Sequence, residues 1–507
     1  MKEIPILTLL TVLPVVGAVI AVLAGRHARA VAMITALASM AMSLVVWTRV
    51  PANGRIGLAE VHQWAPSLGM EYHLGVDGLG ALMLVLSAIV TLMSIDAAHR
   101  VRHQQGLYFA LVLLLESGLF GTFTALNFFH WFIFWELSLI PAFFLIKLWG
   151  GAKRGPAATQ FFVYTMAGSV GLLLAFLAVF LSTGSMDFGH LTLLASTGEL
   201  EQAVMNQFHQ GHVMMWLTVG VLAGFAVKVP LMPFHTWLPA AYSEAPSPVT
   251  MLLTGTMSKM GVYGLLRIAL PMFGHEIAQI RTPLLVFAVV TVVMGAWAAA
   301  AQKDLKRVFA YSSVNHLGYC QLGIFALAVP ATSAAMQTSQ AAALNGVILQ
   351  MFNHGITAAA LFWFIAMMQE RTGGRRGIDE FGGLRKPAPV FAGLMGFALF
   401  SSLGLPGLNG FVGEFLIFRG VFPLAWVAAT VSVLGILVTA AVILTVIQKV
   451  FTGPETEKWA SFPDMHNGER LAMAPVIGLM LLIGLVPQLI VESVNPTVVN
   501  LLAHWRF

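Results

Sequence analysis

The chain is organised by apolar stretches of about 20 residues, the length a helix needs to cross the hydrocarbon core of a bilayer. Fourteen can be marked, centred near residues 14, 40, 86, 115, 138, 169, 220, 258, 290, 317, 355, 405, 437 and 481. Charge agrees: only 10% of the 507 residues are Asp, Glu, Lys or Arg, against about 25% in soluble domains. The expected fold is an all-α polytopic membrane protein of about 14 transmembrane helices. The first stretch, "MKEIPILTLLTVLPVVGAVIAVLAG", reads as a retained span. Its apolar run exceeds the roughly 7–15 residues of a signal-peptide core.

Lysine and arginine set the orientation. Loops after odd-numbered spans hold 18 of them, the other side 6, and three (Lys228, Lys259 and Arg267) fall within spans. Basic residues collect on the cytoplasmic side, so the odd loops are expected there and both termini outside. The longest connections are 50–74, 184–210, 371–387 and 453–468, too short for a soluble domain, so residues 1–507 form one membrane domain. A single cysteine, Cys320, excludes a disulfide framework, a cysteine-ligated iron–sulfur cluster and a CxxC redox pair. The basic residues form no nucleic-acid patch.

Several charges fall inside the apolar stretches: Glu116, Glu136, Lys228, Lys259 and Glu414. Each ionised group at the bilayer centre costs about 2.5–3.5 kcal/mol, so together they must face protein or water. One reading makes them glue between helices, but Ser, Thr, Asn and Gln supply glue at lower cost. Moving a carboxylate relative to a buried lysine changes the lysine's hold on its proton. A series of buried acids and bases therefore suits proton relay. His235, His316 and His354 extend the series in neighbouring spans. His235 follows Lys228 by seven residues and shares its face if the helix continues. The pair His99 and His103 has metal-ligand spacing but lies in a basic loop and reads as solvated.

Two spans are faulted. Pro230 and Pro233 follow Lys228, and the twelfth span carries Gly404, Pro406, Gly407, Gly410 and Gly413 before Glu414. Proline removes a backbone donor and clashes with the preceding turn; the freed groups are tolerated only in protein or beside a wet cavity. With spans 4–8 (106–270) as one unit and 9–13 (281–451) as another, the broken helix is fourth in each. An odd span count inverts the second unit, and matched broken helices in inverted repeats mark a transporter's ion path. Residues 470–507 then form a C-terminal span.

The motifs "FWELSLIP", "GFAVKVPLMPFHTWLP", "SKMGVYGLLR", "QKDLKRVFAYSSVNHLGY" and "GLPGLNGFVGEF" run from the fifth to the twelfth span. Through them the chain resembles the antiporter-like membrane subunits of respiratory complex I, the proton-translocating NADH:quinone oxidoreductase. Multisubunit sodium/proton antiporters and membrane-bound hydrogenases share this family. Glu414 stands where most relatives carry lysine, which marks one branch of the membrane-arm subunits. The resemblance implies that Glu136 pairs with and modulates Lys228, that Lys259 is the central proton carrier, and that His316, with His354 and His235, bridges through water. Glu414 would exchange protons with the outer face. It also implies a bacterial inner-membrane location and a place beside other membrane-arm subunits, including antiporter-like paralogues. FMN, iron–sulfur clusters and quinone are expected in partner subunits; the chain itself carries no nucleotide, flavin or metal-ligand motif. Two positions depart from the family pattern: Asn127, and "LPAAY" at 238–242, where aspartate is common.

Three functions compete. A proton-pumping subunit is driven by redox chemistry in its partners. A cation/proton antiporter subunit is driven by a gradient, but direct Na⁺ coordination would need carboxylate and carbonyl clusters that the sequence does not display. A passive scaffold would tolerate charge-neutral replacements at Glu136, Lys228 and Lys259.

Overall fold

The computed structural model describes residues 4–65 and 70–507; Lys2, counted above on the outer side, lies outside them. Helices α1 (Ile6–Ala24) and α2 (Ala28–Thr48) lead to a hairpin of β1 (Gly57–Ala65) and β2 (Met70–Val76), paired antiparallel. Next come α3 (Gly78–Ala97), α4 (Gln105–Thr124), α5 (Phe128–Trp149) and α6 (Arg154–Thr183). Two short helices, α7 (Phe188–Thr197) and α8 (Glu199–Phe208), precede α9 (Val213–Lys228) and α10 (Trp237–Glu244). Helices α11 (Ser247–Leu252), α12 (Ser258–Gly264) and α13 (Leu270–Gln279) run on through π-helical turns at Leu253–Met257 and Leu265–Ala269. The second half holds α14 (Arg281–Ala300), α15 (Leu305–Ala326), α16 (Ala334–Thr372), α17 (Pro389–Leu403), α18 (Asn409–Leu424) and α19 (Trp426–Val446). Helices α20 (Asn467–Leu485) and α21 (Gln488–His504) close the chain.

The span ends are written in side chains that satisfy the first free N–H groups of a helix. Asp77 caps α3 by accepting from Gly80 N, Asn127 caps α5 through Phe129 N, and Asp304 caps α15 through Arg307 N. The hairpin caps another element: Glu60 of β1 accepts from Leu7 N at 2.8 Å and Thr8 N at 3.0 Å, fixing the start of α1.

Among the described residues, nine helical stretches are long and apolar enough to cross a membrane, or ten if the bent pair α8 and α9 counts as one. The chain is thus a multi-pass membrane protein. Long α16 is the hub, packing on α3, α11, α15, α17, α18, α20 and α21. Its most apolar window is 94% buried, against 33% for the window of α19 and its helical extension to Thr452. The outer helices turn large apolar residues such as Leu23, Leu174, Trp297 and Leu437 outward, as lipid contact requires.

The 184–210 connection contains α7 and α8, and the twelfth stretch, centred near 405, breaks between α17 and α18, where its glycines and Pro406 put the fault. The sequence reading needs correction at two places. The fold is not purely helical, because residues in the 50–74 connection form the hairpin. Residues 470–507 do not make one span: Val486 and Pro487 interrupt the helix and α21 begins anew, packing on α3 and α16.

Candidate proton path

Glu136 lies on α5 next to Trp135. Both of its carboxylate oxygens are buried without a hydrogen-bond partner. Lys228 is the last residue of α9 and 3% exposed. Its ammonium sits over the Trp135 ring, 4.5 Å from the centroid, a cation–π contact that strengthens where water is excluded. The two therefore do not form the direct pair that the resemblance implied.

The chain leaves helical geometry after Lys228, and the freed backbone groups find partners inside the protein. Trp237 Nε1 donates to Val227 O at 2.9 Å, and Met232 N donates to Thr291 Oγ1 at 3.0 Å. His235 therefore does not continue the Lys228 face. It is half-buried, its Nδ1 has no hydrogen-bond partner, and its ring lies 6.1 Å from that of Tyr311.

Lys228 packs against α12, where a Cβ on Gly261 would come within 3.3 Å of Lys228 Cβ. Two residues earlier on α12 stands Lys259, fully buried. The π-helical turn before it turns a carbonyl toward the side chain: Lys259 Nζ donates to Thr254 O at 2.5 Å. Such turns recur at functional positions. The ammonium also reaches His354 Nδ1 on α16, at 2.7 Å. The His354 and His316 rings lie 5.1 Å apart. His316 Nδ1 is 3.0 Å from Glu414 Oε1. Gln350 Nε2 lies 3.4 Å from both of those atoms, and Ser402 Oγ is 3.3 Å from His316 Nε2. Lys259, His354, His316 and Glu414 thus form a buried series running from α12 through α16 and α15 to α18. At its end, Glu414 lines a cavity of about 500 Å³ walled by Phe411, Phe415, Phe418 and Phe422.

The break between α17 and α18 is pinned to α16. Asn353 Nδ2 donates to Asn409 O at 2.7 Å, Ser401 Oγ donates to Asn409 Oδ1 at 2.6 Å, and Thr357 bonds Ser401 at 2.9 Å. Gly404, at φ +81°, lies so close to Glu414 that a Cβ would come within 2.7 Å of Oε2.

A sequence profile for NADH:quinone oxidoreductase/Mrp antiporter transmembrane proteins matches residues 125–443. The NADH-quinone oxidoreductase subunit M of Rickettsia typhi is 32% identical over 94% of this chain and 92% of its own length. The chain belongs to this NADH:quinone oxidoreductase/Mrp antiporter family. A chain of respiratory complex I from Thermus thermophilus superposes with a TM-score of 0.86 at 28% identity, over 99% of this chain and 100% of that one. A chain of the Mrp complex from Dietzia shares the fold, with a TM-score of 0.81 at 22% identity over 98% and 97%. The branch read from Glu414 agrees with the subunit M name of the Rickettsia relative.

Relative to the residues picked from sequence, the family fold joins Lys259, His354, His316 and Glu414, and sets Glu136 and Lys228 close by. His235 stands apart. Glu116, fully buried in α4, has both oxygens without a hydrogen-bond partner and makes no ion pair with the others. His99, read as solvated, is partly exposed and also bonds Glu370 at 3.1 Å. Sequence reasoning passed over Gln350, Asn353 and Thr357. Their signal was present: with His354 they recur at helical spacing along one face of the apolar α16. It also missed Asp77, whose carboxylate pairs with Arg267 at 2.5 Å.

Proposed function

We propose that this chain is a proton-translocating membrane subunit of an NADH:quinone oxidoreductase, moving protons through Glu136, Lys228, Lys259, His354, His316 and Glu414, with His235 as a side branch. The observation that carries the reading is the contact series from Lys259 to Glu414. Every member is buried, every member can bind or release a proton, and the series ends at a cavity. Glu136 and Lys228 form a separate input group, beside the helix α12 that carries Lys259.

In this reading the chain has about fourteen spans, with 106–270 and 281–451 as inverted five-helix repeats and 470–507 as a C-terminal addition. The two breaks, at 229–236 and 404–408, support the pairing: each interrupts a helix beside a buried charge. Both termini face outward from a bacterial inner membrane. Moving one charge against 100 mV takes about 2.3 kcal/mol, so the drive comes from electron transfer in partner subunits that hold FMN, iron–sulfur clusters and quinone. Other antiporter-like membrane-arm subunits lie beside this one. A cation/proton antiporter is the second reading, favoured by the fold shared with the Mrp complex; a membrane-bound hydrogenase stands beside it on the family resemblance alone.

The decisive experiment is isolation of the assembly through a C-terminal tag, with mass spectrometry and an NADH-oxidation assay. Co-purification of a flavin and iron–sulfur arm that oxidises NADH supports the proposal. Small membrane partners alone indicate the antiporter, and a nickel–iron subunit indicates the hydrogenase. In the assembled complex, Lys259→Met should abolish NADH-driven proton transport while leaving the chain incorporated; undiminished transport would make the scaffold reading correct.

A further inference from the structure

Trp135 stands beside the titratable groups of the path, and its ring is locked. It is buried on α5, and its Nε1 donates to Ser169 Oγ on α6 at 3.0 Å. Ser169 Oγ donates in turn to Thr165 O at 3.0 Å, so the acceptor is itself held. The Trp131 ring lies 4.7 Å away, and the Phe225 ring of α9 meets the indole edge-on at 5.8 Å. Phe225 is wedged against α12, where a Cβ on Gly264 would come within 2.2 Å of its ring. Three residues after Phe225, on the same face of α9, Lys228 sets its ammonium over the indole, 4.5 Å from the centroid.

Both ions of the input group lack a counter-charge in contact. Among the described residues, Lys228 Nζ makes no hydrogen bond and no ion pair, and both Glu136 oxygens are buried without a hydrogen-bond partner. Yet Glu136 follows Trp135 directly on α5, and a lysine ammonium rides on a flexible four-carbon stem. Buried charges of opposite sign close on each other unless something holds one of them. The ring does so here, by a contact that strengthens where water is excluded. We infer that Trp135 is a positioning residue of the path: its indole is a second seat for the Lys228 ammonium, apart from Glu136, and the lysine moves between ring and carboxylate. On the ring the ammonium has no counter-charge and can give up its proton toward α12; on the carboxylate it keeps it. The locked indole holds the first seat in place while the lysine swings. The role rests on the proton-translocating reading above; the seat does not.

The test uses the purified, fully assembled complex and the lipophilic probe dicyclohexylcarbodiimide, which adds to a carboxyl that no cation holds and stays on it as an N-acylurea. Glu136 is the sole carboxyl side chain on α5, so peptide mass spectrometry reads it alone. The wild type should label, and Trp135→Phe, which keeps a ring, should label nearly as well. Trp135→Leu removes the seat; Lys228 then closes on Glu136, and labelling should fall about tenfold, the order of a desolvated cation–π contact. Adding Lys228→Met to Trp135→Leu should restore it, because the protecting charge is gone. A residue that only packs would behave oppositely, since losing the indole opens the site to the probe. NADH-driven acidification on the same variants should fall in Trp135→Leu and stay within about threefold of wild type in Trp135→Phe. No labelling of the wild type, equal or stronger labelling of Trp135→Leu, or protection that persists once Lys228→Met is added would each overturn the seat. Protection in Trp135→Leu with undiminished acidification would overturn the positioning role. Labelling as expected in an assembly that moves no protons would overturn the pumping reading instead and leave the seat standing.

Discussion

Replacing Glu414 by glutamine separates a proton relay from a packing contact. The substitution keeps shape and volume, and its amide oxygen can still accept from Gln350, so the α16–α18 seam should persist. What disappears is the carboxylate charge 3.0 Å from His316 Nδ1. At an effective dielectric near 20, unit charges at that separation attract by about 5–6 kcal/mol. Relaxation of neighbouring groups leaves roughly a third of this, ~2 kcal/mol, as stabilisation of a proton arriving on His316. At 1.36 kcal/mol per decade, that slows proton entry by about thirtyfold. Inside-out vesicles energised with NADH report acidification by dye quenching, with NADH oxidation and chain abundance measured on the same membranes. Acidification should fall at least tenfold at normal abundance, and Glu414→Asp should recover part of it. Wild-type acidification per NADH oxidised in Glu414→Gln would refute the relay and leave the His316–Glu414 contact as packing.

Two further predictions concern the scaffold. Gly346→Ala places a Cβ 2.5 Å from Ile417 N on α18; overpacking of this kind costs about 1–3 kcal/mol, read as a lower melting temperature of the purified chain and less of it in membranes. Asp464 lies in the loop before α20 and caps α17 from outside, accepting from Val390 N at 3.1 Å and Phe391 N at 2.8 Å. Burial pushes its carboxyl up, but the N–H groups of Phe391, Met465 and Val390, with Arg470, outweigh this and hold it below the usual value of 3.8. A depressed folded value means the stabilisation is present at neutral pH and is lost as pH falls below that value. Asp464→Asn turns one of the two acceptor oxygens into an NH₂ group and should cost about 1 kcal/mol at pH 7, the worth of one hydrogen bond, and a melting series should show the gap closing below pH 3.8.

What could be read from the sequence was whatever one helix carries within itself. The prolines after Lys228 and the glycines before Glu414 act locally, and the helix breaks at both; of the apolar runs, those in the described residues make nine or ten helical stretches long enough to cross. What could not be read was set by neighbours. The seven-residue spacing from Lys228 to His235 implies a shared face only if the helix continues, and it ends at Lys228. That Glu136 pairs with Lys228 came only from the family resemblance, since nothing within the fifth or the seventh span fixes which partner its charge meets. Here Trp135 takes the ammonium instead. Strands β1 and β2 are short and mixed in polarity, and Glu60 matters only because α1 presents its free N–H groups to it. The direct contact of Lys259 with His354 depends on a π-helical turn, which no apolar periodicity announces.

The position of Gln350 carries the relay argument one step further. His316 Nδ1 faces two groups: it can donate to Glu414 Oε1 when it holds a proton, or accept from Gln350 Nε2 when it does not. The same amide nitrogen lies within reach of Glu414. Gln350 thus answers whichever of His316 Nδ1 and Glu414 Oε1 is short of a donor, while its own Oε1 stays buried without a partner. Both amide contacts are long, 3.4 Å, and worth about 0.5 kcal/mol each at the low end of hydrogen-bond energies. Gln350→Leu should therefore slow proton transport about twofold to fivefold, well short of the Glu414→Gln loss, with the KM for NADH unchanged. The rank order is the test. A Gln350→Leu defect as deep as that of Glu414→Gln would place the amide on the path itself, and no defect would mean that His316 and Glu414 exchange their proton without a third group.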